Sequence, residues 1–203
     1  MKRLLSALVL LALAGGVAAA GVPDPNNSLV LPPDGALQPR ILGILDERPA
    51  GVHNPHPFAN LTITIRNFAN VPINGVYVVV ELNSECDAPL CVCDMADLTG
   101  YTNASGQVVI NVGLGGCCHV DGGAAAAIYA DGVVIRSYDY VVSPDWNEAL
   151  GNCVMGLDDF TIFGNYWVSG AGGCTDYDGN GATGIVDFSI FGQGWRQGCT
   201  QAP

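Results

Sequence analysis

The chain has 203 residues, with 27 Gly, 12 Pro and a formal charge of −12 at neutral pH. So acidic a surface repels phosphate backbones, which argues against nucleic acid as a partner. Abundant turn formers, and no long helical period before residue 155, point to β structure with many turns.

Residues 1–20 open with Lys2 and Arg3, run through an almost unbroken apolar stretch from Leu4 to Ala14, and end on Ala18-Ala19-Ala20. This is the layout of a secretory signal peptide. The apolar run is too short to span a bilayer, and no second such segment of about 20 residues follows. Gly21 stands where a lipoprotein signal would carry Cys. The expectation is an exported protein, secreted or at the cell surface, with no transmembrane segment. Without residues 1–20 it keeps five Arg and no Lys against nineteen Asp plus Glu, a formal charge of −14.

Eight cysteines in an exported chain read as disulfides. Cys86, Cys91, Cys93, Cys117 and Cys118 precede residue 120, and Cys153, Cys174 and Cys199 follow residue 150. Odd numbers in both parts imply either a bridge between them or two free thiols. A metal cluster of Cys91, Cys93, Cys117, Cys118 and His119 fits poorly, because zinc sites prefer paired C-x₂-C spacings to C-x-C and C-C.

Residues 21–54 read as an extended leader, Pro- and Asn-rich at Val22-Pro23-Asp24-Pro25 and Pro32-Pro33-Asp34-Gly35. Residues 55–142 read as an antiparallel β-sandwich. Leu61–Arg66 alternates, apolar on odd positions, as a strand with one buried face does. Asn67–Gly75 is turn chemistry and Val76–Leu82 a second strand. Asn83–Gly100 is expected to be a long loop stapled by its cysteines. Thr102–Gly106 is a turn, Gln107–Val112 a strand, and Gly113–Gly123 another loop. Ala124–Ala130 and Val133–Val142 flank Asp131-Gly132, the strongest hairpin signal in the chain. The segment Leu61–Leu82, GYTNASGQVVINV at residues 100–112 and AIYADGVVIRSYDYV at residues 127–141 resemble bacterial Ig-like domains of the invasin and intimin type. That resemblance implies an Ig-like fold. Such domains serve as spacers, adhesins and carriers, so it speaks to fold more than to function.

Residues 143–203 change character. The run Asp176–Asp187 places oxygen side chains at loop positions 1, 3, 5 and 12 and Gly181 at 6, the spacing of an EF-hand calcium loop. Asp176, Asp178, Asn180 and Asp187 would ligate Ca²⁺ through side chains and Ala182 through its carbonyl. Position 12 is Asp rather than Glu, and Thr183 replaces the usual bulky apolar residue at position 8. The stretch Asn152–Trp167 repeats as Asn180–Trp195 with a constant offset of 28 residues. In each copy the aromatics Phe160/Phe163/Trp167 and Phe188/Phe191/Trp195 share one helical face, which predicts two short helices packed through their rings. In the first copy the ligands would be Asp145, Asn147, Asn152 and Asp159. Glu148-Ala149-Leu150 is an insertion there and Cys153 replaces the loop Gly, so this site is expected to bind weakly or not at all.

Two tandem loop–helix units of this kind resemble a dockerin module, over about residues 143–199. The resemblance implies a calcium-folded helix pair that docks to a cohesin-like partner, by family association within polysaccharide-degrading complexes, with only indirect carbohydrate contact. The family's usual Ser/Thr contact pairs are absent, since Leu157-Asp158 and Ile185-Val186 occupy those places.

No catalytic signature accompanies these features. His53, His56 and His119 are the only histidines, and no G-x-S-x-G or H-E-x-x-H run occurs. The acid pairs Asp94/Asp97 and Asp158/Asp159 would need a substrate cleft to act on glycosides. The expectation is a mostly β, non-catalytic assembly protein. The alternative is a cell-surface structural protein in which the calcium unit is a stabilising C-terminal cap.

Overall fold

A computed structural model describes residues 21–31, 40–45, 60–94, 96, 98–148 and 151–200. The expected signal segment, His53, His56, Asp97 and the Ala149-Leu150 part of the insertion lie outside these residues. The described residues form a mostly β fold of three sheets, followed by two helices.

Strands β1 (Leu29–Leu31), β3 (Asn60–Thr64) and β7 (Gln107–Asn111) make the first sheet, in the order β1-β3-β7. The second has the order β10-β9-β4-β6, from Val133–Tyr138, Ala126–Ala130, Tyr77–Leu82 and Thr99–Tyr101. The third has the order β2-β11-β8-β5, from Arg40–Leu42, Tyr140–Val142, Leu114–His119 and Leu90–Val92. The Asp131-Gly132 hairpin forms: Val133 pairs with Ala130, and both turn residues hold the positive φ (45° and 81°) that a tight two-residue turn needs.

The third sheet is a wall buried on both sides. Successive strand residues point to opposite faces. Ile41, Val141, Cys118 and Leu90 therefore enter a core shared with the first two sheets. Leu42, Val142, Cys117 and Cys93 enter a second core with Met155, Phe163, Tyr177, Ile190 and Phe191. Strands covered on both faces lose the apolar/polar alternation that marks a half-exposed strand. For this reason Leu114–His119, inside the expected loop Gly113–Gly123, is in fact a strand. So is Leu90–Val92, inside the expected loop Asn83–Gly100, which also carries a 3₁₀ turn at Ser84–Cys86. Two pieces of the expected leader also join the sheets. β1 pairs antiparallel with β3, and β2 pairs parallel with β11, so the pairing is not wholly antiparallel.

No described cysteine is free. Cys86 pairs with Cys118, while Cys91–Cys153, Cys93–Cys199 and Cys117–Cys174 all cross to the helical part. Three crossing bridges thus resolve the odd counts. Their Cα separations of 5.5–5.7 Å are ordinary for disulfides. Adjacent Cys117 and Cys118 point to opposite faces of β8, so one dipeptide staples both layers. The considered metal cluster is ruled out as its cysteines are each bonded elsewhere, and His119 stacks on Tyr140 at 4.3 Å.

Helix α1 (Leu157–Ser169) and helix α2 (Ile185–Gly194) begin at Gly156 and Gly184. The N–H of each of these glycines donates to an aspartate three residues on, Asp159 at 2.7 Å and Asp187 at 2.8 Å. The carboxylates also sit at the positive end of each helix. The helices meet through their rings, Phe163 against Phe191 at 4.8 Å and Trp167 edge-on to Phe188 at 5.5 Å. Phe163 and Phe191 are buried, worth about 1.5–3 kcal/mol each.

Gly116 in β8 sits at φ 96°, and a Cβ there would run into the Pro89 carbonyl and the Gly151 backbone. Gly116→Ala is expected to cost about 3 kcal/mol in urea unfolding. Gly122→Ala, at φ 73° but facing open space, is expected to cost only about 1–2 kcal/mol. Equal losses at the two positions would mean that β8 is not tightly packed on both faces.

Candidate functional site

The loop between Cys174 and α2 brings Asp176, Asp178 and Asp187 together, with carboxylate oxygens within 4.8 Å of one another. Asp176 accepts hydrogen bonds from the N–H groups of Asn180 (3.1 Å) and Gly181 (2.9 Å). Asp187 Oδ1 accepts from Tyr177 (2.6 Å) and Asp178 (3.1 Å). Asn180 Oδ1 accepts from Ala182 N–H at 3.0 Å. Gly179 and Gly181, at φ 70° and 96°, supply the left-handed turns that let the chain curl around these oxygens. Thr183 is buried at position 8 as a polar clasp. Its hydroxyl accepts from Thr175 (2.6 Å) and donates to the Ala171 carbonyl (2.6 Å).

Asp176 and Asp187 are fully buried, and burial raises both carboxyl pKa values above the ordinary range. Backbone donors act the other way at each, and so does Arg40 at Asp176. Arg40 is the residue that sequence reasoning missed. It lies on β2, 6 % exposed, pairs with Asp176 Oδ2 at 3.4 Å, and donates to the backbone carbonyls of Gly173 and Asp176. Nothing local signals this contact across 136 residues of sequence. One guanidinium against three carboxylates leaves two negative charges in the loop. Together with its all-oxygen donor set, that charge suits a hard divalent cation such as Ca²⁺. Asp176, Asp178, Asn180 and Asp187 would hold it, with the Ala182 carbonyl.

The first copy reproduces the same hydrogen bonds. Asp145 accepts from Asn152 N–H (3.3 Å) and Cys153 N–H (2.9 Å), as Asp176 does from Asn180 and Gly181. Cys153 holds φ 63°, taking the left-handed place of Gly181, and its side chain is tied down by the bridge to Cys91. Asp145 and Asn152 therefore keep their contact despite the insertion, Asp159 keeps its cap on Gly156, and Asn147 is half-buried. The copies differ at the last ligand. Asp159 is 1 % exposed, and its Oδ1 has no hydrogen-bond partner where Asp187 Oδ1 has two. Burial, with Asp145 and Asp158 nearby, pushes the Asp159 carboxyl up to about 6. An orphaned buried carboxylate oxygen is the kind of atom a bound cation would satisfy.

Above the loops, the helix pair carries two apolar grooves of about 370 and 300 Å³. The first is lined by Phe160, Phe163, Gly164, Trp167, Val168, Ile185 and Phe188. Adding 28 to the α1 residues and subtracting it from the α2 residues turns this lining, Val168 apart, into that of the second groove: Phe188, Phe191, Gly192, Trp195, Leu157 and Phe160. Phe160 and Phe188 are each 44 % exposed. The aromatic stripes thus serve as core on one side and open surface on the other.

No protein-family model, curated protein or solved structure matches the chain. No described helix is long and apolar enough to cross a membrane.

At a free calcium concentration 100-fold above the dissociation constant, a single site adds about 2.7 kcal/mol. For a chain of this size that is roughly 5–10 °C in melting temperature. Asp176→Ala with Asp187→Ala is expected to abolish the gain in scanning calorimetry. An undiminished gain would make the loop a mere turn.

Acid should also stabilise the metal-free protein, through the Asp159 carboxyl. Between pH 3.8 and about 6 the folded chain keeps the Asp159 proton and the unfolded chain does not. Acidification through that window therefore stabilises the metal-free fold. In chelator the melting temperature is expected to rise from pH 7 to pH 5, while the calcium-induced gain shrinks. Parallel changes in both quantities would contradict this.

Proposed function

We propose that this is a secreted, non-catalytic assembly protein in which an Ig-like β part carries a calcium-dependent, dockerin-like helix pair that docks to a cohesin-like partner. The observation that carries the reading is the doubled apolar groove whose halves exchange under the 28-residue repeat. Apolar surface left open in this way marks an interaction site. Gly164 and Gly192 sharpen the point. Glycine inside a helix costs about 1 kcal/mol relative to alanine, yet a Cβ at either position would meet nothing within 4 Å. No packing among the described residues requires glycine there. A partner approaching closely over both positions would.

A second reading is favoured by the three crossing disulfides and the shared second core. In it the calcium unit is a stabilising cap on a cell-surface structural protein, and the grooves face no cohesin. Capture on an immobilised cohesin panel, with and without chelator, separates the two. Calcium-dependent capture supports docking, and a calcium effect confined to melting temperature supports the cap. The double variant Gly164→Ala/Gly192→Ala is expected to melt higher, by about 1 kcal/mol per site, and to lose capture because the added methyl groups fill the grooves. Capture at wild-type strength would remove the grooves from the docking surface.

A further inference from the structure

We infer that Cys93–Cys199 and Cys91–Cys153 together form a thiol–disulfide exchange site at which one dithiol equivalent opens two of the three bridges holding the helical part to the sheets. The Sγ atoms of Cys91, Cys153 and Cys199 lie within 4.8 Å of one another, so the two bridges pack sulfur against sulfur. Cys91 and Cys93, two residues apart at the β5 edge of the wall, present their side chains on the same face. Opposite them, Val154 pairs with Gly198 in an isolated antiparallel bridge, and Cys199 N–H donates to the Cys153 carbonyl at 3.0 Å. That register sets Cys153 directly across from Cys199. Across that register the Cys153 and Cys199 Sγ atoms already lie within 4.8 Å of each other, so rotation of the two side chains covers most of the distance to a bond. A Cys153–Cys199 bridge therefore needs little movement of the backbone.

Access selects where the reaction begins. Cys91, Cys93 and Cys153 are 1 %, 1 % and 5 % exposed, while Cys199 is half-buried next to exposed Thr200. A thiolate of the dithiol attacks Cys199 Sγ, and Cys93 leaves as a thiolate that takes up a proton. The second thiol of the reagent resolves the mixed disulfide, releasing Cys199 as a thiolate and leaving the reagent as a cyclic disulfide. The Cys199 thiolate then attacks Cys153 Sγ, the Cys153–Cys199 bond forms, and Cys91 departs and is protonated. The protein gains two hydrogens, which the dithiol has lost. Two crossing bridges have become one bridge inside the helical part plus a reduced Cys91/Cys93 pair. Cys117–Cys174 is then the one remaining disulfide among the described residues between sheets and helices. Reduction at one half-buried sulfur is thereby converted into loosening of the helical part.

The test adds dithiothreitol stepwise to the folded full chain, quenches with N-ethylmaleimide and maps the labelled and bridged peptides by mass spectrometry. In the first species to carry a label on Cys93, the expected second label is on Cys91, together with a Cys153–Cys199 peptide. Two crossing bridges are lost for one equivalent of dithiol consumed. A second label on Cys199 with Cys91–Cys153 intact overturns the inference. So does a Cys93 that stays unlabelled until all four bridges open. In a Cys91→Ser/Cys153→Ser variant the acceptor bridge is gone, and the expected first labels move to Cys93 and Cys199. Labelling of that pair in both proteins would likewise count against exchange.

Discussion

The sheet β2-β11-β8-β5 packs a core against each of its faces, and most of the molecule's arrangement follows from that. A sheet covered on both sides must present apolar or covalently bonded side chains alternately to two different cores. The chain meets this with the doublets Ile41-Leu42, Val141-Val142 and Cys117-Cys118, each sending one side chain each way. A substitution in this wall is felt by both cores at once.

Charge is the second constraint. Asp145, Asp159, Asp176 and Asp187 are almost completely buried, and Arg40 is the buried basic partner to the second loop. Buried carboxylates in such numbers are costly unless backbone donors and cations meet them. The loops provide donors in quantity, and β2 brings Arg40 in from the far end of the chain. Strand β2 is thus part of the loop's electrostatics, and the cation–π contact of Arg40 with Tyr140, at 5.2 Å, ties that charge back to the wall.

The legible parts of the sequence were those with local, periodic signals. Leu61, Ile63 and Ile65 alternate because one face of their strand is wet, and Asp131-Gly132 makes its turn within two residues. The repeat with its aromatic stripes located both helices, and the oxygen spacing of Asp176–Asp187 located a real cluster of carboxylates. What escaped was non-local. Leu114–His119 has two glycines and two cysteines and no alternation, so it read as loop although five of its six residues are buried. Arg40 reads as the end of a leader, and only the parallel pairing of β2 with β11 carries it to Asp176. In the first copy, Cys153 looked like a defect in the calcium loop. Its positive φ and its bridge to Cys91 show that the left-handed turn can be held by a covalent bond in place of a glycine.

The bridge pattern also dictates when the molecule can be completed. Cys86, Cys91, Cys93, Cys117 and Cys118 are all synthesised before Cys153, Cys174 and Cys199, yet only Cys86–Cys118 joins two early residues. Oxidation in order of emergence would pair two of Cys91, Cys93 and Cys117 with each other and trap them there. The native pattern therefore calls for folding after the whole chain is made, or for an isomerase that reshuffles early bonds on the seconds-to-hours scale of disulfide exchange. A protein whose last cysteine closes against one 106 residues upstream cannot mature vectorially, and its yield in a foreign host should follow the isomerase capacity of that host's oxidising compartment.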